Sequence, residues 1–90
     1  MQPMSDKKKI GAYVLLKIVP GKSRFITEKI SRIEGVNTAH SVTGMFDIIA
    51  YIEASDINNL TGTVRGSIQN IEGVIRTHTA IVGELVTTGD

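Results

Sequence analysis

Ile33-Glu34-Gly35-Val36 followed by His40, and Ile71-Glu72-Gly73-Val74 followed by His78, are one phrase written twice, thirty-eight residues apart. An exact offset of that size signals one supersecondary unit used twice. Each copy reads alike. An apolar helix residue comes first, then a glycine suited to a helix C-cap, then a β-branched residue that opens a strand. Two such helix-to-strand joints in 90 residues predict a doubled βαβ unit.

The rest of the chain fits outward from these joints. Ile10 to Val19 is nearly all apolar, β-branched or aromatic and stops at Pro20-Gly21, which predicts a first strand. Lys22 to Ile33 reads as a helix, with Ile26, Ile30 and Ile33 on one face and Phe25 beside them. Val36 to Val42 is a second strand, Thr43-Gly44-Met45 a short turn, and Phe46 to Ala54 a third strand, so the middle pair forms a hairpin. Ser55-Asp56 caps a second helix whose face is Ile57, Leu60, Val64, Ile68 and Ile71. Val74 to Val82 is a fourth strand, and Leu85-Val86 could extend its pairing. Gly62 and Gly66 lower the helix propensity of the second helix, either as tolerated weakness or as a face for close approach of another chain. With right-handed crossovers, the order βαββαβ gives an α+β, ferredoxin-like sandwich: a four-stranded antiparallel sheet with both helices on one face.

Composition bounds the function. The length suits one domain, here residues 10–86, between a polar N-terminal tail over 1–9 and a C-terminal tail over 87–90. No apolar run approaches the length of a membrane span, and Met1 to Lys9 lacks the apolar core of a secretory signal. Cysteine is absent, which excludes thiol chemistry and fits a cytoplasmic protein. Of ten Lys and Arg, three are Lys7, Lys8 and Lys9, which leaves seven against nine Asp and Glu in the rest of the chain, so the chain outside that tripeptide is slightly acidic. The basic tripeptide reads as a solvated end, or less simply as a nucleic-acid arm.

The strands predict a partner. Two helices cover one face of such a sheet, and a monomer's other face should be polar. Here Ala12, Val14, Leu16 and Ile18 occupy one face of the first strand, and Tyr13, Leu15 and Val19 the other. In the third strand Ile48, Ala50 and Ile52 oppose Ile49 and Tyr51. Strands apolar on both sides belong to a sheet covered on both sides. The second cover is expected to be another copy, through Tyr13, Leu15, Val19, Ile49 and Tyr51. At about 1.5–3 kcal/mol per fully buried large side chain the gross driving force is substantial, less the costs of association.

Few constellations suggest chemistry. His40 and His78 hold equivalent repeat positions, but no cysteine accompanies them and no metal-binding spacing occurs. The acids are scattered, and no nucleophile-elbow, P-loop or dinucleotide-binding glycine pattern is present. Tyr13, Phe46 and Tyr51 are too few, without a basic-aromatic signature, for RNA recognition on the sheet. One polar cluster remains. The turn from Ser41 to Asp47 joins hydroxyls, a glycine and a carboxylate, and Thr77 and Thr79 share one face of the last strand. This is either plain turn chemistry or a pocket for a small zwitterion. In the second reading, backbone N–H groups take the ligand's carboxylate, and Asp47 or a threonine hydroxyl takes its ammonium.

Val42-Thr43-Gly44-Met45-Phe46-Asp47, then Asp56-Ile57-Asn58-Asn59-Leu60, then Ile71 to Val82 with its Gly-Val-x-Arg-Thr-x-Thr-x-Ile-Val pattern, resembles the effector-binding (RAM) domain of the Lrp/AsnC regulators. The resemblance spans about residues 10–86, and Phe46 stands where many relatives have Tyr. It implies dimers joined through their sheets and assembled into rings, commonly octamers, with amino acids or related small molecules bound between dimers. By that resemblance the site comprises Thr43, Gly44, Met45 and Asp47, with Thr77, Thr79 and Ser41. Regulators of the family begin with a winged helix-turn-helix for which this chain has no room. The chain therefore looks like the stand-alone form common in archaea and some bacteria, with no direct nucleic-acid or membrane binding. The expected role is a non-enzymatic, cytoplasmic amino-acid sensor in transcriptional regulation of metabolism, without cofactor or metal, partnered by itself and by full-length Lrp/AsnC regulators. Two alternatives share the topology. One is a dimeric α+β-barrel oxygenase or isomerase, which would need His40 or His78 in a deep cavity. The other is an ACT-like amino-acid-binding module.

Overall fold

The duplicated phrase forms the same joint twice. In the computed structural model, which describes residues 9–83, the Val36 N–H donates to the Ile33 carbonyl at 3.0 Å and the Val74 N–H to the Ile71 carbonyl at 3.1 Å. Gly35 and Gly73 have φ of 95° and 102°, the left-handed region that a C-cap glycine reaches without a Cβ penalty. Each then offers its carbonyl to the sheet. Gly35 accepts from the Glu53 N–H and Gly73 from the Val19 N–H, both at 2.8 Å.

These joints connect β1 (Ile10–Ile18), α1 (Ser23–Ser31), β2 (Val36–Ser41), β3 (Ile48–Ala54), α2 (Ile57–Thr63) and β4 (Val74–Ile81). The strands pair antiparallel in the order β2-β3-β1-β4. This is the ferredoxin-like sandwich that the sequence predicts. The predicted strand extension at Leu85-Val86, the C-terminal tail and most of the N-terminal tail lie outside the described residues.

The period of two in β1 and β3 builds the core. Ala12, Val14, Leu16 and Ile18 alternate into it, as do Ile48, Ala50 and Ile52, all nearly inaccessible. Ile26 and Ile30 of α1 and Leu60 of α2 close over them. Asp56 caps α2 by accepting from the Asn59 N–H at 2.8 Å.

Two features are absent from the sequence reading. The second helix does not run as a uniform α-helix but passes into a π-turn, Val64–Ile68, closed by the Gln69 N–H on the Val64 carbonyl at 2.8 Å. Leu60, Val64 and Ile68 recur every fourth residue, a spacing that drifts round an α-helix. The wider turn takes up that drift and keeps all three buried, and Gly66 in its middle weakens the α alternative. Ile57, at the helix start, remains exposed. The duplicated strands also share a bulge. Val36 pairs with Ile52 and Thr38 with Tyr51, which leaves Asn37 unpaired. Val74 pairs with Ile18 and Arg76 with Lys17, which leaves Ile75 unpaired.

Gly73 has a second constraint. A Cβ there would stand 2.9 Å from Ile26 Cδ1 and 3.3 Å from Val19 Cγ2. Gly73→Ala is therefore expected to lower stability by about 1–3 kcal/mol in urea unfolding. Gly62 is helical and faces open space, so Gly62→Ala should raise stability by up to about 1 kcal/mol.

Candidate functional site

The β2–β3 hairpin ends beside the last residues of β1, and Asp47 fastens the two. Its N–H donates to the Leu16 carbonyl at 2.8 Å and its carbonyl accepts from the Val42 N–H at 2.9 Å. Its side-chain Oδ2 accepts from the Ile18 N–H at 3.0 Å and lies 3.8 Å from Lys17 Nζ. The end of the β1–β3 ladder explains the side-chain bond. Pairing stops at Leu16 and Ile48, and the carboxylate supplies an acceptor for the Ile18 N–H, the next donor on that side of β1. Gly44, with φ of 131°, makes the turn above this clamp.

A cleft of about 490 Å³ opens at this end of the sheet, a volume suited to a small molecule. Lys17, Ser23, Ser41, Thr43 and Asp47 supply its polar lining, and Val19, Pro20, Val42 and Ile75 its apolar walls. Ser23 Oγ and Ser41 Oγ are 3.2 Å apart, so α1 and β2 are joined by a hydroxyl pair at the rim.

The structure thus gathers Ser41, Thr43 and Asp47 of the predicted site. Gly44 and Met45 stand outside the lining, with Met45 81% exposed at the hairpin tip. Thr77 and Thr79 share a face as expected, but they line a separate groove with Thr61, Val64, Arg65 and Gln69. There Gln69 Nε2 donates to Thr77 Oγ1 at 2.9 Å. Lys17 and Ser23 join the site without having been expected there. The available signal is that Lys17 is the one charge in the apolar run of β1.

The sheet face away from the helices carries the other predicted set. His40, Ile49, Leu15 and His78 form one row across it, and Thr38, Tyr51, Tyr13 and Ala80 the next. Tyr13 is 46% exposed, Leu15, Ile49 and Tyr51 are half-buried, and the two tyrosine rings lie 4.9 Å apart between centroids. The Tyr51 phenol lies over Gly11, where a Cβ would overlap it. Val19 is placed differently from Tyr13 and Leu15. It follows β1, packs beside Gly73 and lines the hairpin cleft. His40 and His78 are both exposed, and Phe46 stacks loosely on His78 at 6.3 Å between ring centroids. Among the described residues no three His, Asp or Glu converge to hold a metal ion, and no helix is long and apolar enough to cross a membrane.

Because Asp47 holds a part-buried backbone donor just past the end of the β1–β3 ladder, Asp47→Ala should destabilise the fold by about 1–3 kcal/mol in chemical denaturation. Asp47→Asn, which keeps an acceptor oxygen, should lose less.

Comparison with known proteins agrees with this fold. The chain is 30% identical over 77 residues to the HTH-type transcriptional regulator LysM of Sulfurisphaera tokodaii, a match that covers 84% of this chain and 54% of that protein. The chain thus spans about half the length of the curated relatives it matches. The crystal structure of TTHA0845 from Thermus thermophilus is similar with a TM-score of 0.83 and 29% identity, over 88% of this chain and 99% of that one. The complex of the transcriptional regulator NMB0573 of Neisseria meningitidis with L-Met has the same fold, with a TM-score of 0.81 at 17% identity, over 98% of this chain and 58% of that one. The profile of the Lrp/AsnC ligand binding domain matches residues 11–88, and the chain belongs to that family.

Proposed function

We propose that this domain is a non-enzymatic effector sensor whose assembly responds to a small molecule, an amino acid or a related compound, in the hairpin cleft. One observation carries the reading. Lys17 lines the cleft, and it also follows Leu15 by two residues on β1, opposite Arg76 of β4, which places it on the open face. The same end of β1 therefore serves both the cleft and the apolar face. A ligand that engages Lys17 can have different affinities for free and assembled forms, which is what coupling requires.

Assembly uses the open face. Tyr13, Leu15, Ile49 and Tyr51 meet their counterparts in a second copy, which removes apolar surface that the two helices leave uncovered. Exposed Met45 and Ile75, at the cleft end, offer the contact between dimers in a ring, an octamer by the family pattern. Thr77 and Thr79 join the ligand site only if a neighbouring copy brings its β4 groove against the hairpin. Full-length Lrp/AsnC regulators, with the same sheet face, are the natural heterologous partners, and through them the domain acts in transcriptional control of metabolism in the cytoplasm. The family's description as ligand binding, and L-Met in the Neisseria protein of like fold, support the ligand class.

Sedimentation at micromolar concentration should show a dimer or larger ring, and Ile49→Asp should convert it to monomer by placing a charge at the centre of the apolar row. A monomeric parent chain would remove the assembly half of the reading. Thermal-shift screening against the twenty amino acids should find at least one stabilising ligand, worth about 2.7 kcal/mol at a hundredfold its Kd. A flat response across all of them, and across related carboxylates, would remove the sensing half.

A further inference from the structure

We infer that the sheet face away from the helices is a proton-gated contact: neutral His40 and His78 permit the sheet-to-sheet dimer, and their protonation in mild acid parts the two copies. The inference rests on the proposed assembly through that face and adds its regulation.

Register fixes where the imidazoles stand. His40 pairs with Ile49, Ile49 with Leu15 and Leu15 with His78, so one row crosses all four strands with an apolar centre and an imidazole at each end. The row is also the middle of the apolar patch. Tyr13 and Tyr51 lie on one side of it. Phe46, half-buried, lies on the hairpin side with its ring centroid 6.3 Å from that of His78. A two-fold contact centred on this row has two settings. With the axis along the strands, each His40 faces a His78. With the axis across the strands, each histidine faces its own counterpart. Either setting puts imidazole against imidazole at both rims, because the row reads alike from its two ends.

Charge decides what such a pair does. A neutral imidazole has one donor and one acceptor, so two of them can share a hydrogen bond. Two imidazolium rings have donors only, and they repel most where an apolar centre keeps water away. Imidazole is the side chain whose charge changes between about pH 5 and 8. The other charges of the face do not answer it. Arg76 on β4 and Lys17 on β1 stand one alternation from His78 and Leu15, toward the hairpin, and add positive charge. Asp47 lies at that end too, but its carboxylate turns away from His40 toward β1, to the Ile18 N–H and to Lys17 Nζ at 3.8 Å. Lys9 and Glu53 lie at the far end, beyond the tyrosine row. β2 carries no other titratable side chain, and Tyr13 and Tyr51 bring phenols, a group that titrates well above this range. Separated copies therefore bind protons more readily than the dimer. Linkage then requires the dimer to be strongest above the imidazole range and to weaken as pH falls through it.

Sedimentation of the full chain at about pH 8 and about pH 5.5 spans that range. The dissociation constant to monomer should rise at least about tenfold in acid, which corresponds to net uptake of about one proton per dimer over one pH unit. Calorimetric dilution in two buffers of different ionisation heat should show protons taken up as the copies part. The double variant His40→Gln, His78→Gln should lose most of the acid response, and each single variant part of it. Circular dichroism melts report whether parent and variants stay folded, and the single variants decide in place of a double variant that does not fold. An unchanged constant in the parent, dissociation without proton uptake, or loss of the dimer only together with the fold overturns the inference and leaves the assembly reading intact. An undiminished acid response in the folded variants overturns the role of the histidines. A parent that is monomeric at both pH values overturns the inference and the assembly reading together.

Discussion

The fold depends on the joint at which each helix ends and hands its chain to an edge strand. A glycine at positive φ turns the backbone, and its carbonyl immediately accepts a bond from the end of a central strand, Glu53 in one copy and Val19 in the other. Each helix is thereby fixed at one end relative to the sheet before its side chains contribute packing. The apolar faces of α1 and α2 then meet the inward residues of β1 and β3 without a choice of register. Because the joint occurs twice, both crossovers have the same hand and enter the edge strand in the same way, and the sheet acquires an approximate two-fold axis between β1 and β3.

That symmetry leaves an imbalance. Both helices lie on one side, so the residues that alternate outward from β1 and β3 have no cover within the described chain. Tyr13, Leu15, Ile49 and Tyr51 form the middle of that outer face, and His40 and His78 flank it at symmetric positions on the edge strands. Polar edges around an apolar centre are the usual anatomy of a protein interface. The two-fold character of the face also suits a partner that is another copy, since an isologous contact needs a self-complementary patch.

The sequence makes the architecture legible because its signals are local. The repeat, the period of two in Ile10–Val19 and Phe46–Ala54, and the glycines after Ile33-Glu34 and Ile71-Glu72 each act within a few residues. What stays hidden depends on distant partners. The bulges at Asn37 and Ile75 exist only relative to the strands they pair with. The π-turn follows from where the core sits beneath Leu60, Val64 and Ile68. The site shows the same division. Ser41, Thr43 and Asp47 can be placed together because one hairpin carries them. Thr77 and Thr79, matched by family pattern, lie in another groove. The true partner of the Asp47 carboxylate is the Ile18 N–H, 29 residues away, and no reading of a turn motif alone can locate it.

This division also explains why a carboxylate at a turn beside a cleft is an ambiguous sign. Seen in sequence, Asp47 is an available anion near hydroxyls and glycine, the natural receptor for an ammonium. Seen in the structure, its Oδ2 takes the Ile18 N–H just past the end of the β1–β3 ladder, and its charge is partly answered by Lys17. Its first duty is to keep the hairpin against β1, and so to keep the cleft in existence. Lys17, on the strand that the clamp holds, pairs with it only at 3.8 Å. Cleft and apolar face share one strand end, and in the proposed reading a ligand that draws Lys17 inward would alter the electrostatics beside Arg76 on the face where a second copy would dock. Coupling between binding and assembly would then run through that shared residue, with no conformational relay through the core.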